Sequence, residues 1–75
     1  MNSKILEIAA KTIKTSVKVA EEHKKEVPEI DGWYVWNPVK GGIAVLINAA
    51  GEKLAATSGI SFEQHLKAFQ NGRRN

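Results

Sequence analysis

The run Ile43-Ala44-Val45-Leu46-Ile47 carries no polar side chain, and in a chain of 75 residues no other feature constrains the fold as much. Its β-branched content marks a strand. Side chains alternate across a strand, so Ile43, Val45 and Ile47 point one way while Ala44 and Leu46 point the other. Both faces of that strand are apolar, and both need a cover. Just upstream, Trp33, Tyr34 and Trp36 surround Val35, adding three aromatics to the surface that must be buried or used.

The flanking sequence supplies the covers. Placed at the helical angular step, Ile5, Leu6, Ala9, Ala10, Ile13, Val17, Ala20 and Val27 fall on one arc, which predicts a long amphipathic helix over about 3–26. Asn2 or Ser3 can cap its start, and Pro28 stops it. Strands are predicted at about 33–37, 43–48 and 53–58, with Asn48-Ala49-Ala50-Gly51 forming a type I turn closed by Gly51. Ser61 and Gln64 form a capping box for a second helix over about 61–71, which Gly72 ends. Residues 72–75 are expected to be a mobile basic tail. The whole, 1–75, is a single α+β domain: a long helix, a three-stranded antiparallel meander and a short helix, in the order αβββα.

The register of the meander has two solutions. If Asn48 pairs with Glu52, Leu46 meets Leu54 and Ala44 meets Ala56; a turn one residue shorter inverts every side chain. The covers have two solutions as well. One helix can lie on each face, or both can lie on one face and leave the other for a partner. The second is the working expectation, because domains this small often add a subunit and exposed aromatic patches mark interfaces. It assigns a protein interface to Trp33, Tyr34, Trp36, Ile43, Val45 and Ile47, with both sheet edges free to accept an added strand.

Composition narrows the chemistry. Without cysteine the chain has neither disulfides nor thiolate metal sites. Lys11 and Lys14 interrupt the apolar residues near the N-terminus, so neither a leader nor a membrane span is expected and the protein is placed in the cytoplasm. His23 and His65 are far apart in sequence and lack the spacing of a zinc helix, so no metal site is assigned. The carboxylates are scattered, and Ser58, Gly41 and Gly42 fit neither a nucleophile elbow nor a phosphate loop. No catalytic residue and no cofactor is assigned, and the protein is read as a non-enzyme.

A net charge of +3 is mildly basic. Lys4, Lys11, Lys18 and Lys25 recur at a seven-residue interval, with Lys14 beside them. This stripe, with Arg73 and Arg74, offers the alternative of nucleic-acid binding through Lys4, Lys11, Lys14, Lys18, Arg73 and Arg74, assisted by Trp33 and Trp36. Glu7, Glu21, Glu22 and Glu26 interleave with the lysines, as on a solvated helix face.

The order of elements resembles a known layout. A long first helix, a strand opening Gly32-Trp33, the apolar strand Ile43 to Ile47, a Gly51-Glu52 turn, a third strand and a short helix with Leu66 and Phe69 resemble the small YrhB-like, immunity-protein-type domains of bacteria. That resemblance implies a protein that works by binding another protein, without cofactor or catalysis. The expected partner is a second copy, as a homodimer, or another protein.

Overall fold

The computed structural model describes residues 1–57 and 59–75; Ser58, expected to end the third strand, lies outside the described residues. Asn2 caps helix α1 (Ser3–Thr12), its side-chain oxygen accepting from the Ile5 N–H at 2.8 Å. The helix does not continue to residue 26. Lys14 takes a left-handed φ of 60°, its N–H donates to Lys11, and the Thr15 N–H donates to Ala10. Those two bonds are the Schellman pattern that ends helices, with lysine where glycine is usual. Ser16 then caps a short helix α2 (Val17–Glu22) by accepting from the Val19 N–H.

Residues expected to form the last turn of the first helix instead form strand β1 (Lys24–Val27). A single 3₁₀ turn, Pro28–Ile30, and a left-handed Asp31 reverse the chain into β2 (Gly32–Trp36). Strands β3 (Ile43–Asn48) and β4 (Lys53–Thr57) follow, and helix α3 (Phe62–Gln70) comes last. The sheet is antiparallel with four strands in the order β1-β2-β3-β4, so the α+β class stands while the three-stranded layout and the long first helix are corrected. Pairing with β2 overrides the helical propensity of Lys24-Lys25-Glu26, which is a weak preference against tertiary context.

The turn after β3 has the expected form. Gly51 sits at φ 87°, and the Asn48 side-chain oxygen accepts from the N–H groups of Ala50 and Glu52. Asn48 stands opposite Glu52, so Leu46 pairs with Leu54 and Ala44 with Ala56. This is the first of the two registers, and it decides which helix meets which face. Ile5, Leu6, Ala9, Ala10 and Ile13 of α1 and its cap pack on Val35, Val45 and Ile47. Phe62, Leu66 and Phe69 of α3 pack on Val27, Leu46 and Leu54 of the other face. One helix layer on each face replaces the open face expected above. Val45 and Ile47, assigned to an interface, are 0% exposed beneath α1 and belong to the core. Val17, placed on the buried arc of a continuous helix, is instead exposed because the chain turns before it.

The C-terminal residues are held. Gly72, at φ 93°, and Arg73 donate to Phe69 and Ala68 in a second Schellman motif, which turns the chain back toward the sheet. Arg74 lies over the Phe69 ring, 3.6 Å from its centroid. Asn75 reaches the β4 edge: its side-chain amide donates to the Ala55 carbonyl at 3.0 Å and its side-chain oxygen accepts from the Ala55 N–H at 2.8 Å. Its own N–H donates to Lys53 at 3.0 Å. A single residue therefore occupies the edge much as a strand would, and only β1 keeps an open edge among the described residues.

Two outcomes follow from these geometries. Lys14→Gly is expected to leave stability unchanged or raise it by up to about 1 kcal/mol, because it relieves a left-handed non-glycine residue; in a continuous helix the same change would lower stability by about 1 kcal/mol. Urea denaturation distinguishes the two. Asn75→Ala is expected to speed amide hydrogen exchange at Ala55 while exchange at Val45 stays slow, as read by NMR.

Candidate binding groove

The face of the sheet toward α3 is ordered in cross-strand rows. Lys25, Tyr34, Leu46 and Leu54 form one row, and Trp36, Ala44 and Ala56 form the next. Helix α3 covers the first row from Leu54 as far as Tyr34, where Phe62 meets the tyrosine edge to face with ring centroids 4.9 Å apart. It does not extend over the second row in front of β2. Ala44 contributes only a methyl group there, so a hollow of about 320 Å³ opens between Tyr34, Trp36 and the β2–β3 loop. Lys25, Asn37, Gly42 and Ile43 complete its lining.

The aromatic floor is fixed by its neighbours. The Trp36 ring lies 5.7 Å from Tyr34 and 5.8 Å from the His23 ring, the latter nearly perpendicular. His23 is oriented in turn by Nδ1–H donating to the Val19 carbonyl at 2.9 Å, since a carbonyl can only accept. Behind Tyr34, His65 is buried, and its Nε2–H donates to the Leu54 carbonyl at 2.6 Å, tying α3 to β4. The Tyr34 hydroxyl and the Trp36 indole N–H make no hydrogen bond within the described residues. Both are free donors on rings of which one side is core and the other solvent.

Lys25 supplies the charge of the groove. Its ammonium lies 3.8 Å from the centroid of the Phe62 ring and 5.7 Å from that of Tyr34, a cation held over aromatic faces. Neither ion pair among the described residues involves it, since those join Lys24 to Glu21 and Arg74 to Glu52. The lining contains no carboxylate. The groove is thus apolar and aromatic along its floor, with a positive charge at one wall.

Of the residues assigned to an interface, Tyr34 and Trp36 line this groove and Ile43 borders it, while the Ile43 side chain packs with Trp33, Val45 and Ile47 against the α1 core on the opposite face. The two tryptophans therefore point to opposite sides of the sheet. The groove residues not singled out from the sequence are Lys25, Asn37, Gly42 and Ala44. Lys25 was absorbed into the lysine stripe, although Thr15-Ser16 marks an internal cap and Pro28 to Gly32 marks a turn, and together these free residues 24–27 from the helix.

The lysine stripe is not continuous. Lys4 and Lys11 flank a second depression on the outer side of α1 and α2, Lys14 lies in the turn between them and Lys18 in α2. Arg74 is stacked on α3, across the sheet from all of these, and Arg73 adjoins it. The six basic residues do not form one surface. Among the described residues no three histidine or acidic side chains come together to hold a metal. No described helix is long and apolar enough to cross a membrane.

No protein-family model, no curated protein and no solved structure matches the chain.

The sole tyrosine reports on this environment. Burial disfavours the phenolate, so ionisation of Tyr34 is raised above its ordinary 10.0. Because the folded state holds the proton more tightly, the associated stability is present below pH 10.0 and is lost as pH rises through the folded-state value. Alkaline titration followed by the phenolate absorbance is expected to show a midpoint above that of free tyrosine, and Phe62→Ala is expected to bring it closer.

Proposed function

We propose that this chain is a small, non-enzymatic protein-binding module, working in the cytoplasm, whose partner seats on the Tyr34–Trp36 groove. The observation that carries the proposal is the placement of two half-buried aromatics, whose polar tips make no hydrogen bond among the described residues, at an end of the α3 face that the helix leaves uncovered. Aromatic residues with one side packed and one side open are what supply binding energy at protein interfaces. A second copy of the chain is one such partner, but its contact would run through this groove, since Val45 and Ile47 are already covered. Nucleic-acid binding has less support, because the basic residues are dispersed over two sides of the sheet and the tryptophans are divided between its faces.

Panning a displayed random-peptide library against the wild-type protein and against Trp36→Ala tests the proposal. Peptides that bind the wild type are expected to lose at least tenfold in affinity for the variant, about 1.4 kcal/mol. Circular dichroism checks that the variant stays folded. A library with no binders, or binders indifferent to Trp36, would sink it.

A further inference from the structure

We infer that a partner seated at the groove holds on by an extended segment that joins the sheet as a fifth strand on the neighbouring β1 edge, with one acidic side chain set against Lys25. This rests on the groove being the binding site, and it adds how the partner is held and what chemistry it has.

The sheet has two edges, and the molecule treats them differently. At β4 the outward backbone groups of Ala55 and the Lys53 carbonyl are taken by Asn75. At β1 the Trp36 N–H donates to the His23 carbonyl, which fixes the parity of the ladder. His23, Lys25 and Val27 turn their backbone groups toward β2, so those of Lys24 and Glu26 face outward. An added strand would take its hydrogen bonds from these two residues.

The side chains on that edge give the charge. Lys24 and Glu26 lie in the rows of Val35 and Trp33, on the α1 side, whereas Lys25 lies in the row of Tyr34 beside the groove. On the groove side, Lys25 is therefore the only permanently charged side chain that the edge presents. Among the described residues it has no carboxylate partner, and it is exposed. A residue of an added strand directly opposite Lys25 would occupy a non-hydrogen-bonded position, where cross-strand side chains approach most closely. An aspartate or glutamate there completes the pair. In an antiparallel addition the residue two positions further on faces His23 and Trp36, where the T-shaped ring pair offers an apolar surface. The segment therefore has the pattern acidic, any, apolar or aromatic. Backbone pairing contributes affinity and the two side chains contribute selectivity, as in other strand-addition sites.

The probe is a capped peptide of β-branched residues carrying one glutamate and, two positions later, a phenylalanine. Its binding is read by tryptophan fluorescence and by NMR shifts at Lys24, Lys25, Glu26 and Trp36. Lys25→Glu is expected to weaken binding about tenfold. A peptide with lysine in place of its glutamate should restore much of that loss on the Lys25→Glu protein and bind the wild type poorly. N-methylation of the peptide at the positions opposite Lys24 and Glu26 is expected to abolish binding. If library-selected peptides depend on Trp36 but this probe fails, or binds without regard to Lys25 and N-methylation, the inference is wrong and the groove still stands as the binding site. If no peptide of either kind depends on Trp36, both fall together.

Discussion

Everything in this fold follows from a central strand that is apolar on both sides. Ile43 to Ile47 cannot face water on either face, so the chain must place a helix above and a helix below. The small residues on one side and the branched residues on the other allocate the helices. α1 lies on the Val45–Ile47 side with Ala9 and Ala10 at the contact, and α3 brings larger side chains, Phe62, Leu66 and Phe69, to the side where Leu46 and Leu54 pair.

A chain this short cannot cover both faces completely. α3 runs from Phe62 to Gln70 and, at the usual helical rise, is about 14 Å long. The strands it crosses stand about 4.8 Å apart, so four of them span roughly the same distance. α3 seals the row of Leu46 and Leu54, and beside it, next to the buried Ala44, a hollow is left between Trp36 and the β2–β3 loop. The groove is thus a consequence of a single helix lying along one cross-strand row and of alanine at one position of the next. Its charge is a consequence of strand parity, which turns Lys25 toward the groove and Lys24 and Glu26 away.

What could be read from the sequence was what depends on local patterning. The β3 run, the Asn48–Gly51 turn, the Ser61–Gln64 capping box and the face carrying Leu66 and Phe69 all arise from neighbours in the chain, and each stands in the structure. The failures lie where long-range pairing overruled a local preference. Lys24 to Val27 continue an acceptable helix by propensity and heptad spacing, yet β2 offers them a strand partner, and a left-handed Lys14 breaks the helix without glycine. The groove depends on the same pairing, since Lys25 faces it only from within a strand. The tail departs from local expectation for a related reason: Asn75 is held by the β4 edge, a partner distant in sequence.

The groove and the core share residues, which ties binding to folding. Tyr34 touches Phe62 and His65 on its packed side and Trp36 on its open side, so its position is set by the docking of α3. The floor of the site is therefore preorganised on a paired strand, and little side-chain freedom is left to lose when a partner arrives. The same sharing works in reverse. A domain of 75 residues has a thin stability margin, and any occupant that binds only the folded groove adds to that margin by mass action. The partner need not cover a large area to matter to such a molecule. By seating on Tyr34 and Trp36 it would close a stretch of the α3 face that the chain's own helix leaves uncovered.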